Sequence, residues 1–334
     1  MHKQGFLRGI RLSLLLAASI FVALTMSIRA EAAIMIQLAH GDGSNPSWSA
    51  ACLKFADEIE ARSGGAIRVE VRDASRQGEY DRLSAVQSQE LDMALVSTRT
   101  LAQLEPALKV FELPYLLPTY KHAYKVLDGE IGQELAQRLI AKGIHHLAYW
   151  EDDYRQLSNS QWPVTGPRDM EALKIHVPDT RILTGWLRAL EAVPSPAATI
   201  DLYMALEQRA IDGQDNGIFE TYAAKFYNVQ PYYTLTQHVY EPVALVVNER
   251  VFKALSNEQK ELIRTAAHNA RDYQRGLSAD LRAEKLNEMK RAGLKVSELS
   301  PQARDRFREK ARPVYEAMGL AVQPDLIQRI LELQ

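Results

Sequence analysis

Between Asn257 and about Arg291 the chain carries one uninterrupted helical pattern, which limits the possible architecture more than any other stretch. Leu262, Ala266, Ala270, Tyr273, Leu277 and Leu281 recur every three or four positions, the repeat of a helix with one face against a core. At 1.5 Å rise per residue such a helix is about 50 Å long, more than one domain is wide. The pattern predicts a brace crossing two domains.

The rest of the chain supplies material for two α/β domains. Ile34 to Leu38 reads as a strand, and Asn45-Pro46-Ser47 opens a helix that runs through Arg62 and stops at Gly64-Gly65. Ala66 to Val71 alternates as a second strand, Tyr80 to Ser88 as a helix, and Asp92 to Val96 as a third strand. The order strand–helix–strand–helix–strand belongs to a mostly parallel sheet covered by helices. A second set follows: strand Leu173–Val177, helix Thr180–Leu190, strand Ala192-Val193, helix Asp201–Gln208 and strand Ala210-Ile211-Asp212. Thr234 to Val247 is the longest extended stretch, and Pro301 to Gln334 is helical and peripheral. No flexible linker separates the two sets, so the chain is expected to cross between the domains more than once.

The N-terminus sets the compartment. Lys3, Arg8 and Arg11 precede an apolar run from Leu12 to Met26, and Ala30-Glu31-Ala32 supplies small residues at the cleavage positions. That order is a secretory signal peptide. A retained anchor would need about 20 apolar residues, more than this run supplies. A net charge of −2 argues against a nucleic-acid partner. Cys52, the sole cysteine, permits no intramolecular disulfide and reads as a core residue.

Familiar catalytic signatures are missing: no nucleophile elbow, phosphate loop, zinc-protease helix or dinucleotide fingerprint. His145-His146 would point to opposite faces of a strand and so do not share a metal easily. Polar residues gather in two places. Trp150-Glu151-Asp152-Asp153-Tyr154-Arg155 follows the apolar strand ending at Tyr149, and Asp212-Gly213-Gln214-Asp215-Asn216-Gly217 follows a strand end. Each is either an ordinary solvated turn or part of a ligand site. Binding beyond the carboxyl ends of strands in open α/β sheets favours the second reading.

Taken in order, several segments resemble the substrate-binding proteins of tripartite ATP-independent periplasmic (TRAP) transporters, of the dicarboxylate-binding type. They are Phe111-Glu112-Leu113-Pro114-Tyr115, Ala123 to Gly129, Tyr154-Arg155-Gln156-Leu157-Ser158-Asn159-Ser160, Leu173 to Pro178, Asp201 through Asn216, Ala224 to Gln230, and Leu235 to His238. The resemblance spans essentially the whole mature chain. It implies an α/β, two-domain periplasmic-binding-protein fold with central mixed sheets, crossing strands and a long bracing helix. The expected division is a signal peptide at 1–32, domain I at 33–152 plus 241–280, and domain II at 153–240 plus 281–334. The implied protein is periplasmic and not an enzyme. It captures a small polar solute, an organic acid, in an interdomain cleft that closes as a hinge. It then delivers the solute to the membrane subunits of a TRAP transporter, without a cofactor and without remaining in the membrane after signal cleavage.

Positional matching carries the ligand site onto Arg155, His176, Asn216 and Glu79, with Asp153 and Phe219 as further contacts. One position departs from the family pattern. Its "KIRVP" arginine typically makes a bidentate salt bridge to the ligand carboxylate, and here that position is His176. A histidine cannot reproduce the guanidinium fork. Either Arg155 holds the carboxylate, with Arg181 as a replacement charge, or the ligand is a small polyol, an amine or an unusual acid rather than a common dicarboxylate; Asp152 and Asp153 would favour the latter. Presentation of the ligand to a sensor kinase and a cleft enzyme are the remaining rivals.

Overall fold

The structure is a computed structural model and describes residues 33–41, 44–195, 202–319 and 324–334. The expected signal peptide at 1–32 lies outside the described residues, as does Asp201 at the start of its expected helix.

Among the described residues nine strands form one sheet: β1 Ile34–His40, β2 Ile67–Asp73, β3 Met93–Ser97, β4 Ile144–Asn159, β5 Lys174–His176, β6 Val193–Ser195, β7 Gly213–Asn216, β8 Tyr232–Asn248 and β9 Lys295–Glu298. Their order is β2-β1-β3-β8-β4-β7-β5-β6, with β9 added beside β8. β1 runs parallel to β3, and β5 parallel to both β6 and β7. The two long strands β4 and β8 are antiparallel and join the halves: β8 pairs β3 through Val243–Val247 and β9 through Tyr232–Leu235. Register shifts interrupt the β4–β8 ladder between Glu151 and Tyr154 and between Arg155 and Leu157. Such irregularities bend a strand and re-aim its side chains.

Two sequence readings change here. Trp150 to Arg155 lies inside β4 rather than in a loop after it, and Gly213 to Asn216 is itself the strand that Ala210-Ile211-Asp212 was expected to form. Polar runs look like turns when read singly. Both runs are buried because the neighbouring strands and helices supply partners: Glu151, Gln214 and Asp215 are fully inaccessible, yet each is hydrogen-bonded.

The helix Asn257–Arg291 starts at a capping box, in which Gln259 N–H donates to Ser256 Oγ and Ser256 N–H donates to Gln259 Oε1. It ends at Gly293, whose φ of 106° suits only glycine. Its buried face is shifted from the expected one. Ile263, Ala266, Ala267 and Ala270 pack with Phe55, Ile59 and Leu245, whereas Leu262, Leu277 and Leu281 are half-buried and Tyr273 is exposed. Small residues allow the helix Pro46–Arg62 to approach closely. Further along, Gln274 and Arg275 are buried because they hydrogen-bond to Glu151, Ser47, Asp128 and Tyr149. Met289 then joins Ile218, Tyr233 and Leu294 in a separate cluster, so one helix serves apolar cores at both ends. The largest core runs from Phe111, Leu135 and Tyr149 to Trp186, Leu187 and Phe307. Truncating one of its fully buried aromatics to alanine would cost about 3–5 kcal/mol.

Candidate functional site

A cleft of about 630 Å³ opens where the carboxyl ends of β3, β5 and β7 meet the irregular middle of β4 and β8. β3 delivers Ser97 and the short helix after it, Thr98–Leu101, delivers Arg99; β5 delivers His176, β7 delivers Asn216, and β4 and β8 contribute Arg155 and Glu241. The helix Glu79–Ser88 adds Glu79 and Arg82. The Arg82 guanidinium lies against Gly41, and a β-carbon there would require that flexible end to move aside.

Arg155 is the best-connected group of the cleft. Its Nε donates to Asp215 Oδ1 at 2.8 Å, and Nη2 donates to the Asp215 carbonyl and to Asn216 Oδ1. Nη1 donates to both carboxylate oxygens of Glu241, at 3.0 Å each. Asp215 in turn meets His238 Nε2 at 3.0 Å, and the Trp186 ring stacks on that imidazole. Burial alone would push the Asp215 carboxyl up, but the Arg155 and His238 charges and hydrogen bonds outweigh it and hold the carboxyl at about 2. Arg155 is thereby fixed in place and ionised.

Glu241 also accepts a hydrogen bond from Arg99 Nη2, so one carboxylate bridges two guanidiniums across the cleft. Arg99 Nε is buried without a hydrogen-bond partner among the described residues. The His176 ring is 5% exposed and its Nδ1 is likewise unpartnered. Burial, then the Arg155 charge, pull the His176 pKa below its ordinary 6.5, so the ring is neutral at pH 7.

All six residues singled out from the sequence reach the cleft wall, in different conditions. Glu79 Oε1 accepts from Ser97 N–H, and its Oε2 from the Ser97 and Thr100 hydroxyls, so it anchors the β3 exit. Asp153 is turned to structural use: Oδ1 accepts from Arg282 Nε and Tyr154 N–H, and Oδ2 from Ile218 N–H. Phe219 is 1% exposed and walls the cleft with apolar surface. Arg181 is exposed and lies outside the cleft lining; the additional arginines there are Arg82 and Arg99. Sequence reading missed Arg99, Arg82 and Glu241. A charged residue within the apolar run Val239 to Val247, as Glu241 is, was the available signal.

A family model for bacterial extracellular solute-binding proteins, family 7 (DctP), matches residues 38–320. The chain belongs to this family. It is 32% identical over 266 residues to the 2,3-diketo-L-gulonate-binding periplasmic protein YiaO of Escherichia coli, covering 79% of this chain and 81% of that one. Among solved structures, a TRAP periplasmic solute-binding protein from Ochrobactrum anthropi, with a C-terminus bound in its ligand-binding pocket, superposes with a TM-score of 0.87 at 31% identity. That superposition covers 90% of this chain and 94% of that one. The sugar-acid-binding protein DctPAm from Advenella mimigardefordensis, in complex with galactonate, gives 0.82 at 30% identity over 90% and 97%. This DctP-family chain therefore has the two-domain α/β fold of periplasmic solute-binding proteins.

Proposed function

We propose that Arg99, held with Arg155 around Glu241, is the docking guanidinium of a periplasmic TRAP solute-binding protein, which captures an organic acid in the cleft and passes it to membrane transport subunits; Arg155 adds its charge. The observation that carries this reading is the convergence of two guanidiniums on a single carboxylate, Glu241, inside a walled cavity. Such a pair recognises carboxylates by charge and by fixed N–H geometry together. Relatives support the same ligand class, since the DctPAm complex holds galactonate.

The lobes are residues 33–152 plus 241–280 and residues 153–240 plus 281–334. The register breaks in β4 beside Glu151 and Arg155 supply the place for them to hinge. Capture proceeds without chemical conversion. Thr236, His238 and Asp215 do form a hydroxyl–imidazole–carboxylate line, but all three are fully buried and none lines the cleft. Among the described residues no helix is long and apolar enough to cross a membrane.

The test is a thermal-shift screen on protein unfolded and refolded to strip carried-over ligand, using organic acids, neutral polyols and amines. An acid at 100 times its dissociation constant should stabilise the fold by about 2.7 kcal/mol. Stabilisation by polyols or amines and by no acid would overturn the reading.

A further inference from the structure

Arg155 is fully engaged by the protein itself: its N–H donors go to Asp215, Asn216 and Glu241. An entering acid finds its docking guanidinium on Arg99, which lines the cleft with 27% of its side chain exposed and is bonded there to Glu241 through Nη2. Beside Arg99 stands the Glu241 carboxylate. Its Oε1 accepts from both arginines, while Oε2 accepts from Arg155 alone and retains acceptor capacity toward the cleft. Of the carboxylates in the wall, Asp153 is paired with Arg282 and Glu79 is held by Ser97 and Thr100, and Glu241 is the one bonded to Arg99. One ligand carboxylate can be matched in such a cleft, and a second one would meet like charge.

We infer that Glu241 is a specificity-determining residue that selects hydroxylated monocarboxylates, such as sugar acids, and rejects dicarboxylates. The ligand carboxylate docks on Arg99, a ligand hydroxyl donates to Glu241 Oε2, and Glu241 holds the position that the far carboxylate of a diacid would need. This inference rests on the acid-binding reading above and narrows it.

Isothermal titration of the refolded mature protein with D-galactonate and with succinate tests it, on the unsubstituted chain and on Glu241→Gln. The amide keeps the size and an acceptor oxygen while removing the charge. The unsubstituted protein should prefer galactonate, and Glu241→Gln should move the galactonate-to-succinate affinity ratio toward succinate by about tenfold or more, mainly by tightening succinate. Glu241→Asp, which keeps a charge beside Arg155 but withdraws it from Arg99, should move the ratio the same way by less. It serves as the test if the glutamine variant does not fold. An unmoved ratio, or a preference for succinate in the unsubstituted protein, overturns the inference and leaves acid binding standing. Binding of neither acid, nor of any other acid in the screen, removes both.

Discussion

Two arginine–carboxylate clusters hang from the same few residues of β4, and they are built to opposite standards. On the side facing the long helix, Arg282 donates to Glu151 Oε1 at 2.5 Å and to Asp153 Oδ1 at 2.9 Å, while its guanidinium lies 4.4 Å from the Tyr120 ring centre. Tyr124 and Tyr240 hydroxyls donate to the remaining Glu151 oxygen, and Ile218 N–H to the remaining Asp153 oxygen. No side-chain polar atom of these residues is left buried without a partner. On the cleft side, Arg99 Nε and His176 Nδ1 are both buried and unpartnered among the described residues. A saturated network fixes geometry, because every departure from it strands a charge. An unsaturated one leaves a standing free-energy cost that a ligand can relieve. The first cluster is a lock between strand and helix, and the second is a receptor.

The comparison breaks most visibly on the lock. Arg282→Met leaves Glu151 and Asp153 as inaccessible carboxylates without their cation, and removing one partner of a buried pair costs about 3–5 kcal/mol. Urea unfolding should register a loss of that order. A loss below about 1 kcal/mol would mean that the tyrosine and backbone donors suffice and that Arg282 is dispensable.

The receptor should respond the other way round. Arg99 and Glu241 are partly exposed, at 27% and 15% of their side chains, so Arg99→Met should alter stability by less than about 1 kcal/mol. Acid affinity should fall by about 10- to 100-fold, the worth of hydrogen bonds to a charged group. Calorimetric titration checks the affinity and urea unfolding the stability. A variant that is destabilised yet still binds would place Arg99 with the lock.

Asp215 belongs to both clusters in spirit, since it is buried like the lock but serves the receptor by fixing Arg155. Its carboxyl drops from an ordinary 3.8 to about 2 in the folded chain. A depressed acid contributes stability that is present above the unfolded value and lost as pH falls through the folded one. The contribution is about 2 kcal/mol, and it disappears between roughly pH 4 and pH 2. Asp215→Asn should be the less stable protein at neutral pH, and its deficit should shrink by that amount across the same window. Denaturant titrations at successive pH values measure it, and a constant deficit would show that Asp215 carries no depressed carboxyl.

How much of this was legible beforehand follows the range of the interactions. The helices and strands of the first half could be read from periodicity and turn residues, because local sequence suffices to place Asn45 as the cap of Pro46–Arg62 or Gly64-Gly65 as its end. The polar strands could not. Glu151, Gln214 and Asp215 sit in the interior only because partners far away in the chain satisfy them, as Arg282 does for Glu151 from 131 residues further on. The long helix was legible in extent but not in facing: its buried Gln274 and Arg275 are explained by Glu151 and Asp128, which no helical repeat reveals. In the cleft, motif position led to Arg155, His176 and Asn216. Arg99 and Glu241 are joined across 142 residues and become a site only when β3 and β8 lie side by side.

His176 gives the smallest effect and the finest distinction between wall and receptor. The ring is neutral at pH 7 because burial and the neighbouring Arg155 both disfavour its protonation. An anionic ligand reverses part of that balance, so acid binding should strengthen as pH falls below about 6.5 and the imidazole takes up a proton. His176→Arg installs a permanent charge and a second N–H fork, opposed by Arg155 nearby. Acid affinity at pH 7 should rise by about fivefold to tenfold, most for diacids, because the added charge offsets Glu241. The same substitution should flatten the pH dependence on the acid side of neutrality, since nothing at that position would still titrate. Titrations at three pH values on both proteins separate the cases. A higher affinity with the slope retained would assign the titration to a different group. No change in either would make His176 part of the wall alone, leaving Arg99 and Arg155 to recognise the acid.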